Sequence, residues 1–172
     1  MSFKKNIVFI GGIHGVGKGT SCKDIAIGTD LIHITAIHVL KWNEISKSDN
    51  KLVNNIFTTQ QRLILGLKNL IEKDKQYLLD GHFCLLNSKG IPSKIEEETF
   101  DYINPRIVAI VIDDVEKVVE RLEKRDKRKY DSKVLNELQE MEIEYAKYLS
   151  KKYSVPYIEI WNSNYKSLLN II

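Results

Sequence analysis

Apolar residues gather in short continuous runs, and between these runs they recur every three or four positions, so that two periodicities alternate along the chain. The runs Ile7-Val8-Phe9-Ile10, Leu31-Ile32-His33-Ile34, Tyr77-Leu78-Leu79-Asp80, Ile107 through Ile112, and Tyr157-Ile158-Glu159-Ile160 read as five strands. The fourth is apolar throughout, which suits a central parallel strand buried on both faces. Helical spacing predicts helices over about 20–27, ending at Gly28, and then over about 35–47 and 53–73, with Ile56, Leu63, Leu67, Leu70 and Ile71 on one face. A hairpin is expected through Phe83 to Leu86 with Asn87-Ser88-Lys89-Gly90 as its turn, and Pro92 is read as opening a helix to about residue 102. Asp113 or Asp114 caps a helix carrying Arg121, Leu122 and Arg125, a longer helix spans about 132–152, and a short one follows the last strand. Alternating strands and helices predict an α/β fold of three α/β/α layers. Its five-stranded parallel sheet would bind ligands at the carboxyl ends of the strands.

The 172 residues amount to one domain, 1–172, with a core of ordinary size. A hydrophobic share of 43% beside 28% charged residues fits a water-soluble protein, and no apolar run approaches the ~20 residues of a membrane span. The few residues before the first strand leave no room for a signal peptide, and Cys22 and Cys84 read as free thiols, so a cytoplasmic location is expected. A net charge of +3 is too small to point to nucleic acid but is compatible with a basic site for phosphates.

The candidate chemistry begins directly behind the first strand. Gly12, Gly17 and Lys18 satisfy the spacing of a phosphate-binding loop, or P-loop, between a strand and a helix. Glycines at 12, 15 and 17 let the backbone turn its N–H groups into one concavity at a helix N-terminus, with His14 and Val16 between them. Lys18 adds a point charge for the β- and γ-phosphates of ATP. The general motif has a Ser or Thr after the lysine as a Mg²⁺ ligand; Gly19 stands there and Thr20 follows. The metal therefore needs another oxygen, and Asp80 at the end of a buried strand supplies one.

The loop Gly12 to Thr20 resembles that of adenylate kinases and related nucleoside monophosphate kinases, in which a glycine after the lysine is usual. The resemblance implies that Thr20 touches the α-phosphate and that Mg²⁺ is held largely through water and a carboxylate. Leu78-Leu79-Asp80-Gly81-His82 begins like the Leu-Asp-Gly-Phe-Pro-Arg stretch of bacterial adenylate kinases, but Cys84 stands where the arginine that clamps the substrate phosphate would be. The Asp-x-His form is similar to archaeal adenylate kinases and to adenylate-kinase-like ATPases of ribosome assembly, which implies a place for His82 near the metal or the attacking water. Ile103-Asn104-Pro105-Arg106 resembles the Leu-Asn-Pro-Asp lead-in to the fourth strand of the archaeal enzymes.

The same resemblance makes 35–73 a helical monophosphate-binding insertion, with Thr35 and Lys41 where a base-side hydroxyl and a phosphate-binding arginine would be, although Ile37 and His38 replace Gly-Asp. It makes 121–137 a short lid, because Arg121-Leu122-Glu123-Lys124-Arg125 resembles the Arg-Leu-x-x-Arg segment of these kinases. Arg125 and Arg128 would then neutralise charge on the transferred phosphoryl, with Arg121 among the residues that bind ATP. A solvated basic helix end facing its own dipole is the simpler reading of that segment. Trp161 and Asn162, beyond the last strand, are candidates to border the adenine, and Trp161 equally suits a core position.

The expected function is ATP- and Mg²⁺-dependent phosphoryl transfer to a small anionic acceptor, with a nucleoside monophosphate as the first expectation. The alternatives are a nucleotide-switch ATPase acting on a protein or RNA partner, and a kinase for a nucleoside, a sugar or an RNA 5′ end.

Overall fold

The computed structural model describes residues 5–40, 46–47, 52–53 and 55–172. β1 (Ile7–Gly11) is buried along its length and leads through the glycine loop into α1 (Lys18–Ile27). β2 (Ile32–Thr35) and α2 (Ala36–Leu40) follow, and then β3 (Ser46–Lys47), β4 (Leu52–Val53) and α3 (Ile56–Leu70). β5 (Tyr77–Asp80) returns to the sheet, β6 (Cys84–Asn87) and β7 (Pro92–Lys94) make a hairpin, and α4 (Glu97–Ile103) leads to β8 (Ile107–Ile112). α5 (Val115–Asp126), α6 (Ser132–Tyr153), β9 (Tyr157–Trp161) and α7 (Lys166–Leu169) come last. No helix among the described residues is long and apolar enough to cross a membrane.

The expected five-stranded parallel sheet is present, in the order β2-β5-β1-β8-β9. β1 is its centre, and its uninterrupted apolar sequence follows from parallel neighbours on both sides and helices above and below. The register sets Ile10 against both Asp80 and Ala109, so Asp80 reaches the carboxyl edge just as the chain of β1 enters its loop. Caps fix the helices flanking the basic segment. The Asp114 carboxylate accepts from the Glu116 N–H, and the Asp131 carboxylate accepts from the N–H groups of Lys133 and Val134.

Two sequence expectations are corrected. Residues 92–94 are not the start of a helix but the second strand of the hairpin, and the helix begins at Glu97. The Asn87 carboxamide oxygen accepts from the N–H groups of Lys89 and Ile91, Gly90 takes φ 75°, and the chain reverses to pair Leu86 with Pro92. Proline is tolerated there because it is the first residue of a strand. The insertion is likewise not purely helical, since β3 and β4 join β6 and β7 in a second sheet of order β3-β4-β6-β7. Helical spacing at 35–47 and from 53 onward did not register that pairing, which links residues more than thirty positions apart (Leu52 with Leu86).

Phe9, Phe83 and Phe100 pack together beneath the carboxyl edge, with ring centroids 4.9 to 5.7 Å apart. Beside them α6 buries Leu135, Leu138, Tyr145, Ala146 and Leu149 in one stripe, and Glu142 stands within it fully buried. Glu142 Oε1 accepts the backbone N–H of Phe83 at 3.1 Å and of Cys84 at 3.2 Å, so α6 holds the turn that follows Asp80. Burial pushes this carboxyl up to about 7, against the pull of those N–H groups and of Lys18. The fold thus favours the neutral acid; that stabilisation is complete below the ordinary carboxylate range and is lost as pH rises through about 7.

Two stability measurements follow from this core. Phe100→Ala should lower the unfolding free energy by about 3–5 kcal/mol in urea titrations, whereas Leu65→Ala on an exposed helix face should change it by no more than about 0.5 kcal/mol. Glu142→Gln keeps an acceptor oxygen and carries no charge, so the decline of stability between about pH 5 and pH 8 should be smaller than in the parent. An undiminished decline would clear Glu142 as its source.

Candidate active site

The connection between β1 and α1 is shaped by close approaches. Gly12 has φ 143° and a Cβ there would lie 2.7 Å from the Val111 carbonyl oxygen; Gly15 has φ 78° and a Cβ would meet Leu122 at 2.7 Å. Any larger residue at either position would force the loop off β8 or α5. Gly17 caps α1 without a side-chain hydrogen bond, which leaves the first-turn N–H groups facing a cleft at a helix N-terminus. That cleft, about 600 Å³, is lined by the loop residues His14, Gly15, Gly17, Lys18, Gly19 and Thr20 together with Thr35, Asp80, Arg121 and Arg125.

At its floor Lys18 Nζ donates to Asp80 Oδ1 at 2.7 Å, with both side chains about nine-tenths buried. His33 Nε2 lies 3.6 Å from the other carboxylate oxygen. Burial raises the Asp80 acid, but the His33 imidazole and the Lys18 ammonium outweigh it and hold the group down at about 2, so it is an anion at any physiological pH. A Cβ on Gly19 would lie 3.8 Å from Asp80 Oδ2, so the position that lacks a hydroxyl directly adjoins the carboxylate expected to replace it.

The arginines divide. Arg121 forms an ion pair with Asp113 and also donates to the Lys117 carbonyl at 3.1 Å. Arg125 holds Asp126 through Nε at 2.6 Å and Nη2 at 3.0 Å. Arg128 is not among the residues lining the cleft, and its guanidinium lies 4.4 Å from the Tyr130 ring centre. Trp161 ends β9 on the same edge of the sheet, half exposed and outside the cleft lining, with Asn162 beyond it in the left-handed region. Thr35 lines the cleft, its Oγ1 accepting from the His38 N–H at 3.1 Å; Lys41 lies outside the described residues.

His82 lies behind the phosphate loop and not among the residues lining the cleft. Its ring is 4.4 Å from that of His14, and its Nδ1 is 3.6 Å from Glu142. Burial, with Lys18 nearby, pushes His82 down to about 3, so it works as a neutral imidazole. It also borders a small apolar cavity between the turn after β5, α2, α3 and α4, lined by Ile37, Leu40, Gln60, Leu63 and Phe100 among others. Cys84 is fully buried on β6 and offers nothing to an acceptor phosphate.

Sequence reasoning did not assign roles to His33, Cys22 or Glu142. A carboxylate inside the apolar stripe of a long amphipathic helix was the available signal for Glu142. The other two depend on which strands adjoin.

More than a hundred solved chains match this one in structure. One is an uncharacterised protein from Eubacterium ventriosum, 16% identical over 98% of this chain and 96% of that one, with a TM-score of 0.48. Another is a gluconokinase from Sinorhizobium meliloti, 10% identical over 94% of this chain and 84% of that one, with a TM-score of 0.51; at that identity the likeness is one of fold. No curated protein sequence matches. A family model described as an AAA domain matches residues 11–139, most of the chain, and the protein belongs to that family, with the sheet order and glycine loop of a P-loop kinase-like fold.

Proposed function

We propose that this protein transfers the γ-phosphoryl group of ATP to a small anionic acceptor, with a nucleoside monophosphate as the acceptor of first choice. The observation that carries the reading is the Lys18–Asp80 pair on the floor of a glycine-loop cleft rimmed by Arg121 and Arg125. An entering phosphate chain takes Lys18 from Asp80 and meets the N–H groups of the loop and of the first turn of α1. Arg121 and Arg125 exchange their own carboxylates for phosphate oxygens as charge develops on the transferred group. Asp80 stays ionised, and its oxygens and the nearby Thr20 hydroxyl are hard donors of the kind Mg²⁺ takes. When bound, Mg²⁺ neutralises charge on the β- and γ-phosphates. Buried and neutral behind the loop, His82 supports the turn after Asp80. Residues 121–137 act as the lid and 35–73 as the acceptor-side insertion.

A second reading has its own support. Cys84 occupies the position of the acceptor-clamping arginine and is buried, which favours an ATPase that acts on a macromolecular partner. The gluconokinase of like fold is a reason to include a sugar acid among the acceptors.

ADP formation from ATP should therefore be measured with a panel of nucleoside monophosphates, nucleosides, gluconate and no acceptor. Strong stimulation by one monophosphate is expected; equal rates with and without acceptors would transfer the assignment to the ATPase reading. Lys18→Ala should lower turnover by at least about 10²-fold with an unchanged circular dichroism spectrum, and near-normal turnover would sink the mechanism. Asp80→Asn should raise the Mg²⁺ concentration for half-maximal rate by about tenfold or more.

A further inference from the structure

Three donor groups of different chemistry converge behind Lys18. The Cys22 sulfur, a His33 ring nitrogen and an Asp80 carboxylate oxygen all lie within 4.8 Å of one another. They come from α1, β2 and β5, and Cys22 follows Lys18 by one helical turn, so the cluster is fixed by the same strand order that builds the phosphate cleft. Cys22 is completely buried and Asp80 nearly so. His33 Nε2 is also shielded from solvent, yet it makes no hydrogen bond. Its 3.6 Å separation from Asp80 Oδ2 is long for a hydrogen bond. It matches the spacing of about 3.3–3.6 Å between a nitrogen and an oxygen that share a tetrahedral ion with bonds of about 2.0–2.2 Å.

We propose that Cys22, His33 and Asp80 form a Zn²⁺ site that shares only Asp80 with the proposed Mg²⁺ site. One sulfur, one imidazole nitrogen and one carboxylate oxygen, with a fourth position open, suit Zn²⁺; Mg²⁺ takes oxygen ligands and leaves thiolates alone. Asp80 opens onto the phosphate cleft, which gives the ion a way in. Burial and the Asp80 charge keep the Cys22 thiol protonated in the metal-free protein. Binding therefore breaks the S–H bond, forms the Zn–S bond and releases one proton to solvent, with no change of oxidation state. Because Zn²⁺ occupies the carboxylate assigned to Mg²⁺, it inhibits phosphoryl transfer. That consequence rests on the proposed function, whereas the binding does not.

The test uses Co²⁺ as a coloured substitute for Zn²⁺ on the full chain under reducing conditions. One equivalent of Co²⁺ should produce a near-ultraviolet thiolate-to-Co²⁺ charge-transfer band that Zn²⁺ bleaches and Mg²⁺ does not. Cys22→Ala should abolish the band, Cys84→Ala should retain it, and His33→Gln should weaken Co²⁺ binding by about tenfold or more. The partly exposed His33 gives a variant that tests the site should Cys22→Ala fail to fold. The proposal is overturned by the absence of a band in the parent protein, by a band that survives Cys22→Ala or disappears with Cys84→Ala, or by unchanged affinity in His33→Gln. A band with the predicted variant pattern but no effect of Zn²⁺ on turnover would establish the site and remove its inhibitory role.

Discussion

A lysine and an aspartate share a buried hydrogen bond at the carboxyl edge of the sheet, and the placement of the neighbouring elements serves that pair. Taking two charges out of water costs several kcal/mol each, and their mutual attraction offsets this only when the geometry is good and further partners are present. The geometry here comes from β1 and β5 lying side by side in parallel register, with Ile10 level with Asp80. Glu142 secures the turn just after Asp80, and Gly12 and Gly15 let the loop before Lys18 lie against β8 and α5. Such a pair contributes little net stability, so its value lies in what it keeps ready: an ammonium and an ionised carboxylate fixed where a phosphate chain and its metal would arrive.

How much of this could be read in advance depends on the range of the interactions. β1, β5 and β8 were legible because strands buried on both faces leave unbroken apolar runs, and α5 and α6 were legible because Asp114 and Asp131 cap them and amphipathic stripes follow. The phosphate loop was legible because its chemistry is contiguous in the chain. β3, β4 and β7 are only two or three residues long and acquire their identity from partners elsewhere, so helical spacing around the first two and Pro92 as a helix opener at the third assigned their segments to helices. The surroundings of Asp80 were hidden for the same reason. Cys22 and His33 look like ordinary residues of a helix and a strand until the order β2-β5-β1 sets them beside the carboxylate.

The cations of the cleft follow one pattern with different energetics. Lys18, Arg121 and Arg125 each rest on a carboxylate, of Asp80, Asp113 and Asp126 respectively. The two arginine side chains are about half exposed, and an exposed ion pair contributes only about 0–1 kcal/mol, so exchanging those carboxylates for phosphate oxygens costs little. Lys18 differs, because moving it onto a phosphate leaves Asp80 ionised in a site closed to most water. A cation arriving with the nucleotide restores the balance, whereas a bare phosphate chain would leave an uncompensated buried charge. On the proposed function, the buried pair would therefore couple nucleotide binding to metal binding, while the rim arginines would adjust to the group transferred.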